Sequence, residues 1–220
     1  METIKRSLSS SDKHDRNDKV GTLFVFTGPS GVGKDTVVCQ LLQQVSGLVK
    51  SVSVTTRQQR PGEQEGVNYF FRSPEEFQQL LDNEQLMEWA KFAGNFYGTP
   101  KAWVNEQLRS GLDVLLEIEV QGAKQIKKSF PEAVLVFISP PSFEALRERL
   151  VGRATESSEK IAERLAKAQQ EIREKRLFHY EVVNDDLELA VLNLCHIVYA
   201  ERCRIREKPP VTPDEHNSHP

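Results

Sequence analysis

Apolar residues fall along this chain in alternating strand and helix patterns. Leu23-Phe24-Val25-Phe26 is an unbroken apolar run of strand length, and Val37, Val38, Leu41, Leu42 and Val45 follow at helical intervals. Val52 to Thr55 reads as a second strand. Ser73-Pro74-Glu75-Glu76 is a capping box with proline at the first helical position, and it opens a helix whose Phe77, Leu80 and Leu81 turn inward. Val114 to Val120 reads as a long strand with Glu117 and Glu119 on one side near its end. Val134 to Ile138 is continuously apolar, as a strand buried on both faces must be. Pro140-Pro141-Ser142 ends that strand and starts a helix carrying Phe143, Leu146 and Leu150. Ile161, Leu165, Ala168 and Ile172 mark a further helix, Val182-Val183 a short strand, and Leu189 to Val198 a last helix. Strands alternating with helices predict an α/β fold with a mostly parallel sheet covered on both faces, and a ligand at the carboxyl ends of its strands.

At 220 residues the chain can form one full α/β domain, with room for a small inserted region. A net charge of −3 gives no global attraction to nucleic acid or to an anionic membrane, and no apolar run reaches spanning length. Residues 1–19 are polar and charged without an apolar centre, which predicts a disordered arm and not a secretory signal. Residues 207–220 hold four prolines and little apolar content, which predicts a second disordered arm. Cys39, Cys195 and Cys203 have no metal-type or CxxC spacing, so reduced thiols and a cytoplasmic location are expected.

Between the first strand and the first helix lies Gly28-Pro29-Ser30-Gly31-Val32-Gly33-Lys34. Strand, glycine-rich turn and helix form the setting of a phosphate-binding P-loop. The glycines let backbone N–H groups turn inward around a polyphosphate, and the helix N-terminus adds its dipole. Lys34 brings an ammonium to the outer phosphates. Asp35 stands where Ser or Thr commonly offers a hydroxyl to magnesium, and Thr36 follows it. Asp35 either approaches the ion or turns away to pair with a cation.

Four further stretches carry polar chemistry that a core does not need. Ser53-Val54-Thr55-Thr56-Arg57-Gln58-Gln59-Arg60-Pro61-Gly62-Glu63, with Tyr69 beyond, sets two arginines at a strand end, either as a phosphate clamp or as a solvated loop. Glu88-Trp89-Ala90 precedes Gly94-Asn95-Phe96-Tyr97-Gly98-Thr99. A carboxylate there can accept from N1–H and N2–H₂ of guanine, although an aromatic-rich glycine loop is also an ordinary structural feature. Glu117 and Glu119 repel one another, so each requires a donor or cation nearby. Arg149 and Arg153 share a helix face, with Arg164 eleven residues beyond Arg153. They are either surface charges or mobile cations over a transferring phosphoryl.

From about Gly21 to about Arg204 these blocks resemble, in order, the guanylate kinase family. The resemblance is carried by the P-loop, Ser-Val-Thr-Thr-Arg, Pro-Gly-Glu with Tyr69, Glu-Trp-Ala, Gly-Asn-Phe-Tyr-Gly-Thr, Leu-Glu-Ile-Glu-Val-Gln-Gly, Ser-Pro-Pro-Ser and Val-Asn-Asp-Asp. It implies a three-layer P-loop kinase fold with a core over 20–52, 113–148 and 178–206, a small β-rich GMP-binding region over 53–112, and a helical lid over 149–177. It places Arg57, Arg60, Tyr69 and Tyr97 on the GMP phosphate, and Ser53, Glu88 and Thr99 on the guanine, with Glu117 and Glu119 beside the same site. ATP falls to residues 28–36, Arg149, Arg153 and Asn184. Lys34, Arg57, Arg149, Arg153 and Arg164 are the expected catalytic cations, and Asp35 the expected Mg²⁺ contact. Four positions depart from the family pattern: Asp35, glutamates at 117 and 119 where aspartate is usual, and Ala154 where the lid usually has glycine.

The activity implied is transfer of the γ-phosphoryl of ATP to GMP with Mg²⁺, in purine nucleotide metabolism, and neither nucleic acid nor membrane is an expected partner. Monomer and homo-oligomer both remain open. A non-catalytic guanylate-kinase-like binding module is the alternative. The intact Gly28–Lys34 motif and the lack of room for further modules weigh against it.

Overall fold

The computed structural model describes residues 20–152 and 158–205. The expected terminal arms, Arg153 and Ala154 lie outside the described residues. In chain order the elements are β1 (Leu23–Thr27), α1 (Lys34–Gln44), β2 (Leu48–Lys50), β3 (Val54–Thr55), β4 (Phe70–Phe71), α2 (Pro74–Asp82), β5 (Leu86–Phe92) and β6 (Asn95–Pro100). There follow α3 (Lys101–Arg109), β7 (Asp113–Glu117), α4 (Val120–Ser129), β8 (Val134–Ser139), α5 (Phe143–Val151), α6 (Ser158–Arg173), a 3-10 turn at Glu174–Leu177, β9 (Tyr180–Val183) and α7 (Leu187–Cys203).

Five strands form a sheet in the order β2-β7-β1-β8-β9, with every pairing parallel. Period-2 alternation along β1 divides the core. Phe24 and Phe26 pack with Val37, Val38 and Leu41 of α1 and with Val191, Leu194 and Val198 of α7. Leu23 and Val25 point the other way, to Val104 and Leu108 of α3 and to Ala123 and Ile126 of α4. Each such buried aliphatic or aromatic side chain is worth roughly 1.5–3 kcal/mol relative to exposure. The chain leaves β1 toward β2 and β7 on one side and later crosses to β8 and β9 on the other. The strand order therefore reverses at β1, and a crevice opens above its carboxyl end.

A second sheet is ordered β4-β3-β6-β5. β5 and β6 form a hairpin around Ala93 and Gly94, both at positive φ (47° and 83°), the conformation a two-residue turn of matching twist demands. Phe77 of α2 stacks on Phe96 at 5.5 Å and ties this sheet to its helix. The Ser73 capping box forms as the sequence predicts, with Ser73 Oγ accepting from the Glu76 N–H and Glu76 from the Ser73 N–H.

One expectation changes. The strand read over Val114 to Val120 ends at Glu117, and Glu119 becomes the N-cap of α4, where a helix N-terminus favours negative charge. α5 closes at Val151 with Gly152 as its C-cap, and the Arg153 end of the helix face read for Arg149 and Arg153 lies outside the described residues. Among the described residues no helix is long and apolar enough to cross a membrane.

Candidate functional site

The glycine-rich turn joins β1 to α1 at the reversal of strand order. Gly33 caps α1 at φ 90° and ψ 26°, a left-handed conformation open to glycine at little cost. An added Cβ there would also lie 2.9 Å from Nδ2 of Asn184. The Lys34 ammonium curls over the loop and donates to the carbonyls of Gly28 (2.6 Å) and Pro29 (3.4 Å). From behind, buried Asn184 donates its Nδ2–H to Val32 O at 2.8 Å. Arg149, in the last turn of α5, donates to Asn184 O (3.0 Å) and to Val32 O (3.4 Å). Arg149 and Asn184 thus both bond the loop at the Val32 carbonyl, and to one another. Arg164 lies on α6, half-buried.

Facing the loop from β7, the Glu117 carboxylate is held by the Lys50 ammonium at 2.6 Å and comes within hydrogen-bonding reach of Asp35. Burial first, and the neighbouring Asp35 charge as well, push the Glu117 carboxyl up, against the opposing pull of Lys50. Asp35 itself is exposed in the first turn of α1 and forms no ion pair among the described residues.

Glu119 takes a different partner. Lys167 of α6 reaches it at 2.9 Å, Glu171 at 3.3 Å, and the centre of the Phe92 ring at 3.7 Å. One ammonium so joins α6 to the start of α4 and to the β5–β6 hairpin. Glu171 is buried, and its carboxyl is raised by that burial and by Glu119, against the pull of Lys167 and Lys34. Each carboxylate read in the sequence as needing a cation has one.

Across the second sheet, Arg57 makes a two-pronged bond to Glu63 (2.7 and 3.1 Å) and lies 5.3 Å from the centre of the Tyr69 ring. The Glu63 hydrogen bond holds its guanidinium above its ordinary value. Tyr69 meets Tyr97 edge-on at 6.0 Å. Burial pushes the Tyr69 phenol up to about 12, with Tyr97, Glu117 and Asp35 adding to it. Arg60 is exposed, and its backbone N–H donates to Glu63 at 2.8 Å. The stretch read as either clamp or solvated loop is divided, with Arg57 packed and Arg60 free of the packing. Ser53 is half-buried just before β3.

Glu88, on β5, is 4% exposed. Thr99 Oγ1 donates to its Oε1 at 2.7 Å, and its Oε2 closes on the bare Cα of Gly122 in α4. Burial pushes this carboxyl up to about 7; Thr99 opposes the shift and Glu119 adds to it. Among the described residues no cation is paired with Glu88. Sequence reasoning overlooked Lys50, Lys167, Glu171 and Gln125. Lys167 and Glu171 carry a readable signal, an i,i+4 pair on a helix, whereas Lys50 and Gln125 act across 67 and 36 residues.

The guanylate kinase family model matches residues 20–201. A guanylate kinase of Desulfitobacterium hafniense is 49% identical over 189 residues, covering 86% of this chain and 94% of that protein. One from Lactococcus lactis is 51% identical over 185 residues, with 84% and 90% covered. The crystal structure of guanylate kinase from Anaplasma phagocytophilum superposes with a TM-score of 0.72 at 37% identity, covering 84% of this chain and 88% of that one. On that sequence similarity and this shared architecture, the chain belongs to the guanylate kinase family of enzymes.

Proposed function

We propose that this enzyme transfers the γ-phosphoryl group of ATP to GMP, giving ADP and GDP, and so returns GMP to purine nucleotide metabolism. The observation that carries the reading is the buried Glu88 carboxylate, held by Thr99 and without a cation among the described residues, in a chain that also has an intact P-loop. A desolvated carboxylate lacking a positive partner is costly in the free protein. Guanine offers N1–H and N2–H₂ together, the donor pair that satisfies it. Ser53 joins Glu88 and Thr99 at the base, while Arg57, Arg60, Tyr69 and Tyr97 hold the GMP phosphate. None of these assignments addresses the ribose, so dGMP is an acceptor as well.

The GMP phosphate is already ionised and needs no general base. One of its oxygens attacks the γ-phosphorus, the bond to the β,γ-bridging oxygen breaks, and ADP leaves with that electron pair. Catalysis is then positioning and charge neutralisation. Lys34 exchanges its loop carbonyls for phosphate oxygens, Arg149 and Asn184 keep the loop rigid behind it, and Asn184 also walls the adenine side. Arg57, Arg153 and Arg164 supply further positive charge, the last two from a lid spanning 149–177. Closure of that lid over the 53–112 region excludes water.

Magnesium suits the donors present. Asp35 and Glu117 bring two hard carboxylate oxygens from separate elements to the mouth of the loop, and Mg²⁺ is commonly held by one or two carboxylates plus substrate phosphates. When bound, the ion would neutralise phosphate charge. Glu119 tethers the lid helix through Lys167 beside this site. Three free cysteines agree with a cytoplasmic enzyme. The test is ADP release from ATP plus each nucleoside monophosphate in turn. GMP should lead by orders of magnitude, and equal turnover of AMP or UMP would overturn the guanine assignment.

A further inference from the structure

Glu88 cannot aim itself. Pairing between β5 and β6 runs Leu86↔Pro100 and then Trp89↔Gly98, so β5 advances three residues while β6 advances two. The extra residue is a β-bulge, which re-aims the side chains it contains, and Glu88 lies within it. β5 is also an edge strand of its sheet, so outward-pointing backbone groups there have no neighbouring strand.

One side chain takes the place of that strand. Gln125 of α4 accepts from the Trp89 N–H at 3.1 Å and donates to the Trp89 carbonyl at 2.6 Å. A primary amide, with a donor and an acceptor side by side, reproduces the pairing a strand residue would give. Trp89 directly follows Glu88 and closes the bulge. The same helix supplies Gly122, three residues earlier, whose missing side chain leaves room for Glu88 Oε2, and Glu119, three earlier again, whose charge bears on Glu88. Residues 119, 122 and 125 share one helix face.

We infer that Gln125 is a positioning residue for base recognition: its amide locks the β5 bulge onto α4 and thereby fixes the Glu88 carboxylate for the acceptor's purine edge. The inference rests on the reading of Glu88 as the guanine-recognising group, and its test separates the two. Gln125→Glu keeps size and the acceptor but sets a carboxylate oxygen against the Trp89 carbonyl; Gln125→Met removes both bonds at similar volume. Lys128→Gln, on an exposed turn of α4, is the control. For each variant, and for Glu88→Gln, kcat and KM are measured with GMP and with inosine 5′-monophosphate, which lacks the 2-amino group, and KM with ATP. Folding is verified by circular dichroism and denaturant midpoint.

Both Gln125 variants should raise KM for GMP and lower the GMP-over-IMP preference in kcat/KM by about tenfold, because a displaced carboxylate no longer rewards the second donor. KM for ATP and kcat at saturating GMP should change less than about twofold. A folded Gln125→Met that keeps the wild-type preference, while Glu88→Gln loses it, overturns the inference. If one Gln125 variant fails to fold, the other decides. Wild-type preference in Glu88→Gln overturns the underlying reading of Glu88 itself. An equal loss for GMP, IMP and ATP in the Gln125 variants would assign Gln125 to general stability and also refute the inference.

Discussion

Replacing Glu88 by glutamine should make the protein more stable and a worse enzyme, and both effects can be sized. The wild-type carboxyl rises from its ordinary 4.5 to about 7, chiefly because burial removes its hydration. Below pH 4.5 the group is neutral in folded and unfolded chains alike, and it imposes no penalty. As pH rises from 4.5 to 7 the unfolded chain ionises first, so folding stability falls through that window and levels off above 7. The gap corresponds to about 3 kcal/mol at pH 8, an upper figure because the buried site can relax. Glutamine keeps the shape and the Oε1 that accepts from Thr99, but it carries no charge to desolvate. Denaturant midpoints for wild type and Glu88→Gln should therefore converge near pH 4.5 and separate above pH 7, with the variant ahead.

Binding should move the opposite way. Glutamine presents a donor where guanine also presents donors, and the loss of a charge-assisted hydrogen bond costs roughly 1.5–3 kcal/mol, or about one to two decades in GMP affinity. In the wild type, GMP binding should weaken as pH falls below about 7, since the free carboxyl takes up a proton there. The GMP phosphate has its own titration near pH 6, and the variant isolates it, because only that part of the pH dependence survives. Isothermal titration with GMP in both proteins between pH 5.5 and 8.5 measures the difference. A variant less stable than wild type at pH 8, or one binding GMP equally well, would refute the account of Glu88 as a group kept costly for the sake of its ligand.

Lys34→Ala should remove at least about three decades of phosphoryl transfer, as expected for a cation acting on the transferring group, with an unchanged denaturant midpoint; activity near wild type in the folded variant would sink the P-loop argument. Lys167→Met leaves Glu119 and Glu171 facing one another without their shared ammonium, so stability should fall by about 1 kcal/mol, a modest figure because Lys167 is 39% exposed. Amide hydrogen exchange in α6 should accelerate in that variant, and unchanged exchange would show that the bridge holds nothing. Asp35→Ser should bind metal-free ATP more tightly and depend less steeply on magnesium, since a charge beside the phosphates has gone. ATP titrations with and without the ion test this, and equal magnesium dependence in both proteins would remove Asp35 from the metal site.

Elements built from one continuous pattern are legible in the sequence alone. The Leu23–Phe26 run, the Ser73 capping box and the buried Val134–Ile138 strand each depend on neighbouring residues alone, and each formed as read. α4 was not foreseen, because Val120, Ala123 and Ile126 are few and directly follow an apolar strand whose pattern runs into them. α3 escaped for a similar reason, with only Val104 and Leu108 fully buried in nine residues. At the site, the residues of the glycine loop lie adjacent in sequence and could be read from spacing. The groups that tune them could not be: Lys50 reaches Glu117 from another strand, Arg149 and Asn184 reach Val32 from elements more than a hundred residues on, and no periodicity encodes such distances.

The distribution of countercharge is the most informative result of that long-range assembly. Glu117 has Lys50, and Glu119 and Glu171 share Lys167, so their charges are largely neutralised within the protein. Glu88 is more deeply buried than Glu117 or Glu119, yet among the described residues its side-chain partner is a hydroxyl and not a cation. A carboxylate retained for stability would be expected to have a cation, because an unpaired buried charge costs several kcal/mol. One retained for recognition must stay unneutralised, so that an incoming pair of N–H donors gains the full interaction. A new lysine near Glu88 should therefore stabilise the free enzyme while weakening its hold on the base, the same opposition expected of Glu88→Gln but reached without touching the carboxylate.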